Sequence, residues 1–201
     1  MCLPRNYDQI PAKLRGVKAR LAQDAGIPPT SITSYLDTIE TLFLFDQLRS
    51  WTPNLTSRET AKPKASVADS GLAARLSRVT EQQLTPVDGT SHHLGALMEG
   101  FVVGELLKQQ VWSAEEYELF HYRTRDGLEV DVILEFADGQ TLGIEVKSGT
   151  TFRADHFTGL RSLRDRLGER FAGGIVLNTG NSGYRFADRL YGLPVSSLWA
   201  E

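Results

Sequence analysis

A mixed α/β fold is what this sequence predicts, and three observations in its second half predict it. Residues 93–112, HLGALMEGFVVGELLKQQVW, carry Leu94, Leu97, Met98, Phe101, Val102, Leu106 and Leu107 at helical spacing, a wide apolar stripe. Three β-branched and aliphatic runs follow at about 118–123, 129–136 and 141–147. Then come a basic amphipathic helix, ADHFTGLRSLRDRLGERF, with Leu160, Leu163 and Leu167 on one side, and a buried-looking strand, GGIVLNTG. The order is helix, three strands, helix, strand.

The second and third strands, GLEVDVILE and TLGIEVKSG, are joined by ADGQ, whose Asp-Gly pair favours a hairpin turn. Strand side chains alternate faces, so Glu145 and Lys147 point one way while Ile144 and Val146 point into the core. Asp131, on the neighbouring strand, can reach the same face. Two carboxylates and an ammonium on one sheet surface are costly unless they pair with each other or hold a metal. Glu145 with Lys147 is also readable as a plain surface ion pair.

The first half reads differently. AKLRGVKARLAQDAG predicts a helix ending at Gly26, and PPTSITSYLDTIETLFLF a second, with Thr30 and Ser31 as start signals and an apolar stripe running from Ile32 to Phe43. FDQLRSW then reads as a strand leading into a polar loop. Helix, tight turn, helix and strand have the outline of a winged helix-turn-helix. Against nucleic-acid contact there, no Arg or Lys lies between Pro28 and Gln47. Residues 57–70 are polar. KASVADSGLAARL predicts a strand, a turn and a helix, and residues 80–93 are the best linker. The expected division is residues 1–60 as a winged-helix-like segment, 61–91 as connection and linker, and 92–201 as the main α/β domain.

Composition narrows the function. A net charge of −3 does not advertise nucleic-acid binding, but it is uneven: residues 1–91 hold 11 Lys/Arg against 9 Asp/Glu, leaving 11 against 16 for the rest. The single Cys2 excludes an internal disulfide and a zinc-thiolate cluster. With neither an apolar stretch of about 20 residues nor a signal-like N-terminus, a cytoplasmic chain without membrane partners is expected. There is no GxxxxGK[ST] motif, so no nucleotide is expected to bind and the chain alone should not hydrolyse ATP. No G-x-S-x-G elbow supports a hydrolase triad. The four histidines are isolated or at a linker edge, and Trp51, Trp112 and Trp199 read as core or edge packing.

The element order, with Glu99 closing G-A-L-M-E, Asp131, and Glu145-x-Lys147 some fourteen residues on, resembles the core of the PD-(D/E)XK nuclease superfamily, the restriction-endonuclease-like fold. More closely, SYLDTIETLFLFDQL, VADSGLAARL, GALMEGFVVGELLK, GIEVKSG, GIVLNTG and LPVSSLW resemble the C-terminal portion of a bacterial AAA-type ATPase family that joins a P-loop ATPase, a winged-helix-like segment and this nuclease-like domain. The resemblance implies an α-β-β-β-α-β core preceded by a small winged-helix-like helical segment. It implies Mg²⁺ (or Mn²⁺) held by Asp131, Glu145, the carbonyl of Val146 and Glu99, with Glu105 the substitute if the helix is rotated. Lys147 would stabilise the transition state, and Arg123 and Arg125 would hold a phosphate. Partners would be nucleic acid and an AAA ATPase module, in cis or in trans. The alternative is a non-catalytic interaction module of that ATPase, with DNA contact through the first segment. Two features depart from an active site: the helix after Glu145 lacks a supporting Gln or Lys, and Glu129 adds charge beyond one ion's need.

Overall fold

A computed structural model of the chain describes residues 12–52, 63–84, 92–124 and 126–200. Two helices come first, α1 (Ala12–Ala25) and α2 (Ile32–Thr41). Gly26, at φ 67°, follows α1 in the left-handed conformation that ends a helix most cheaply. Ser31 stands at the α2 N-cap, but its hydroxyl makes no cap bond. The apolar stripe expected to run on to Phe43 does not hold. The helix stops at Thr41, Phe43 turns the chain at φ 57°, and Leu42, Phe43 and Leu44 are exposed.

β1 (Phe45–Ser50) pairs antiparallel with β2 (Lys64–Val67), placing Leu48 opposite Lys64. The far end of β1 pairs in parallel with β3 (Tyr117–Arg123), Ser50 opposite His121, and Trp51 after it is fully buried. The strand read as a wing is therefore a member of the main sheet. Asp69 caps α3 (Ser70–Leu76) by accepting the Leu72 amide at 2.6 Å. Part of the expected linker is helical: α4 spans Glu81–Leu84, and α5 (His92–Gln109) begins at its end. Residues 85–91 of that linker, residues 57–62 of the polar stretch, and Arg125 lie outside the described residues.

The predicted helix, three strands, helix and strand are all present: α5, β3, β4 (Glu129–Phe136), β5 (Thr141–Val146), α6 (Thr158–Leu167) and β6 (Phe171–Asn178). Two strands more were not read from the sequence, β7 (Tyr184–Ala187) and β8 (Leu190–Pro194). LPVSSLW supplies the end of β8 and a 3-10 turn. All eight strands form one sheet, in the order β2-β1-β3-β4-β5-β6-β8-β7. The protein is thus a mixed α/β fold with six α-helices among the described residues.

Both faces of this sheet are covered, which is why its central strands read as nearly continuous apolar runs. Met98, Val102, Val103 and Leu106 of α5 pack on Val132, Ile144, Val146 and Leu177. Phe157, Leu160 and Leu163 pack on Val130, Ile133 and Val176 from the other side. Phe101, placed in the α5 stripe by spacing, instead lies at the edge against the Trp199 ring, and Trp112 is 70% exposed rather than packed. A Cβ on Gly159 would collide with the Glu129 carbonyl, so only glycine lets α6 sit this close to β4. The β4–β5 turn is the expected one: the Gly139 amide donates to the Phe136 carbonyl, and Gly139 at φ 82° closes a three-residue loop.

Candidate functional site

The site forms where β4 and β5 part. Their regular pairing ends at Val132 opposite Ile144, so Asp131 and Glu145 flank the open end. Along β3, Phe120 pairs with Ile133 and Tyr122 with Val130, two residues against three, so β4 carries a bulge at Asp131 and Val132. The bulge turns the Asp131 carboxylate into the gap between strands. There its Oδ2 accepts the Val146 amide at 2.9 Å, doing for β5 what a backbone carbonyl would have done. The Lys147 amide donates to the Leu177 carbonyl at 2.8 Å. In the same planar trans peptide the Val146 carbonyl points the opposite way, toward β4.

Two groups meet at Asp131. On one side, the Lys64 ammonium lies 2.5 Å from Glu99 Oε1, 3.2 Å from Asp131 Oδ1 and 3.5 Å from Glu129 Oε1. On the other, the Lys147 ammonium lies 2.6 Å from Glu145 Oε1, while Glu145 Oε2 is buried without a hydrogen-bond partner. Gly143 faces Leu160 and Leu163, which puts Glu145, two residues on, toward the α6 side. Glu99 belongs to α5 on the opposite side. The predicted residues thus converge on the end of one strand pair rather than on one sheet surface, with Asp131 as the link.

The electrostatics follow from this division. Burial, then the Asp131 charge, pushes the Glu145 carboxyl up to about 7, although Lys147 opposes the shift. Burial followed by the Asp131 charge also raises Glu99, against the pull of Lys64. Burial alone would lower the Lys64 and Lys147 ammonium groups, but their carboxylate partners hold both above the ordinary lysine value. Both lysines carry full charge at neutral pH.

Hard oxygens converging on a positive charge are what a Mg²⁺ or Mn²⁺ site requires. The Lys64 ammonium is a stand-in cation that marks where three carboxylates stabilise such a charge. Among the described residues no three His, Cys, Asp or Glu side chains form a ready-made metal cage. The donors fit a dication in kind, but the position between Glu99, Glu129 and Asp131 is taken by the Lys64 ammonium. Glu105 is not needed as a substitute: it holds Lys108 at 2.6 Å and the Trp199 indole at 3.3 Å. Arg123 reaches Glu129 at 3.7 Å. His93 is exposed, and the His156 ring accepts the Arg153 amide.

Sequence reasoning missed Lys64. Its local signal, a lysine opening a short strand before an Asp-capped helix, does not point at residues so distant in the chain.

Residues 94–198 match a family described as "Domain of unknown function (DUF4143)". The chain belongs to this family. The DUF4143 domain is found in AAA-ATPase-associated proteins, and here it contains Glu99, Asp131, Glu145 and Lys147. Lys64 lies in a separate match, residues 17–83, to a family described as "Domain of unknown function (DUF8612)". The chain is 26% identical over 181 residues to "Uncharacterized protein Mb2031c" of Mycobacterium bovis and to "Uncharacterized protein Rv2008c" of Mycobacterium tuberculosis. Each alignment covers 90% of this chain, which spans 38% of the relatives' length. No solved structure matches the chain. No helix among the described residues is long and apolar enough to cross a membrane.

Proposed function

We propose that this DUF4143 chain is the PD-(D/E)XK nuclease-like module of an AAA-type ATPase family protein, and that its site hydrolyses phosphodiester bonds of nucleic acid with Mg²⁺ or Mn²⁺. One observation carries the reading: the Asp131 carboxylate, at the open end of a strand pair, joins the helix-borne Glu99 to the Glu145–Lys147 strand through shared contacts. An isolated ion pair would need no such link.

Asp131, Glu99 and Glu145 would hold the ion through carboxylate oxygens, with the Val146 carbonyl beside them. A bound dication would supply a water of lowered pKa and polarise the phosphoryl oxygens. Glu145 Oε2, buried and unpartnered, is the free oxygen of the set. The Lys147 ammonium offers charge to oxygens that become more negative during hydrolysis, once it loosens its contact with Glu145. The missing P-loop assigns ATP hydrolysis to another module, in a longer parent chain or in a partner.

A second reading has its own support. Lys64 already neutralises Glu99 and Asp131, as expected of a nuclease-like module kept for interaction with an ATPase or DNA rather than for catalysis. The test incubates the full chain with end-labelled single- and double-stranded DNA and RNA, with and without MnCl₂. Cleavage lost in Glu145→Ala and in Lys147→Ala is the expected result. If neither wild type nor Lys64→Met cuts any substrate, hydrolysis is ruled out and the interaction reading stands.

A further inference from the structure

We propose that Lys64 is a displaceable internal cation that closes this site to divalent ions, so that β2, and with it the N-terminal part of the chain, controls access. The inference rests on the dication site proposed above and deepens it.

Occupancy is the first argument. Three carboxylates from two elements, α5 and β4, point at one ammonium, and that ammonium comes from neither element but from an edge strand of the sheet. A dication approaching Glu99 and Asp131 must take the volume that Nζ fills. Charge is the second. Around Lys64, Glu99, Glu129 and Asp131 bring three formal negative charges, against two positive ones from Lys64 and Arg123. The cluster retains a single negative charge, too little to repay stripping water from a dication; without Lys64 it retains two.

Attachment is the third argument. β2 is four residues long, its one strand neighbour is β1, and its other side rests on a small-residue face of α5. Ser66 lies 3.8 Å from where a Cβ on Gly100 would stand, and the Ala68 carbonyl 3.2 Å from one on Gly104. A strand seated against glycines makes few side-chain contacts there, so on this side the ion pairs are its main tie, and its other hold is the four-pair ladder with β1. Movement of the N-terminal part would carry Lys64 out and leave Glu99 and Asp131 without the cation they share.

The experiment is calorimetric titration of MnCl₂ into the full-length wild type, Lys64→Met, Lys64→Arg and the double variant Lys64→Met/Asp131→Asn. Lys64→Met is expected to bind Mn²⁺ more tightly than wild type by about tenfold or more. Lys64→Arg should stay at the wild-type level, and the double variant should lose the gain. Equal affinities in wild type and Lys64→Met, or no binding by either, overturn the proposal.

A second measurement uses only the wild type. Acylation of Lys64 by an amine-reactive ester, read by mass spectrometry, should speed up by about fivefold or more in millimolar Mn²⁺ while exposed Lys108 is unchanged. Bound Mn²⁺ with unchanged Lys64 protection contradicts displacement. The two claims separate cleanly. Gain of Mn²⁺ binding without any cleavage leaves the gate and removes the hydrolysis. Cleavage by a wild type that binds Mn²⁺ as well as Lys64→Met does the reverse.

Discussion

The two sides of Asp131 handle charge in opposite ways. Toward α5, one ammonium serves three carboxylates, and every one of them has a cation within 3.5 Å. Toward α6, one ammonium serves one carboxylate, yet Glu145 keeps a buried oxygen with no partner. Lys64 is central to its carboxylates and shared among them, while Lys147 is given to Glu145 alone and reaches only one of its oxygens. Burial first, then the Asp131 charge, decides which carboxyl resists ionisation: Glu99 is raised, and the more deeply buried Glu145 is pushed up to about 7.

Removing the link between the sides should have the largest effect. Asp131→Ala leaves the Val146 amide without its acceptor and takes a carboxylate from Lys64. We expect a loss of about 3 kcal/mol in urea unfolding; a loss below about 1 kcal/mol would mean that the two sides are independent. Next comes Lys64→Met, which strands the partly open Glu99 and the buried Asp131, the latter still held by the Val146 amide, and should cost about 2 kcal/mol. Lys147→Met should cost less, about 1 kcal/mol, since Glu145 can take up a proton instead. If Lys147→Met proves the costlier of the two, the contrast between the sides is wrong.

These residues were unequally legible in the sequence. The hairpin, its Asp-Gly turn and the alternation around Glu145 and Lys147 were readable because strand period and turn chemistry are local. Glu99 was legible only through the resemblance of G-A-L-M-E to the nuclease-like family, since helical spacing places the helix but singles out no carboxylate on it. Lys64 was not legible, since it reaches Asp131 through a β1–β2 pairing and a glycine face on α5 that no local pattern announces. The strand alternation also put Asp131 on the sheet face of Glu145; the bulge in β4, visible only in the pairing with β3, sends it into the gap instead. In the first half, Leu42, Phe43 and Leu44 extend a helical stripe by composition, yet the chain turns at Phe43. Tertiary pairing of β1, not helix propensity, decides where α2 stops.

The smallest expected effect is a pH slope. Free of the fold, Glu145 titrates near its ordinary 4.5, and in the folded chain at about 7. Between those values the folded state binds more protons than the unfolded one, so Glu145 makes stability fall as pH rises through that window. Glu145→Gln should flatten this part of the stability profile and leave Lys64→Arg as a control with the wild-type slope. An unchanged slope in Glu145→Gln would assign the shift to another group.

The most direct examination of the cation seat is a crystal of Lys64→Met grown in MnCl₂ and measured at the manganese absorption edge. An anomalous peak between Glu99 and Asp131, where the ammonium had been, is the expected outcome. Crystals with Mn²⁺ bound elsewhere, or with nothing between those two carboxylates, would refute the seat itself.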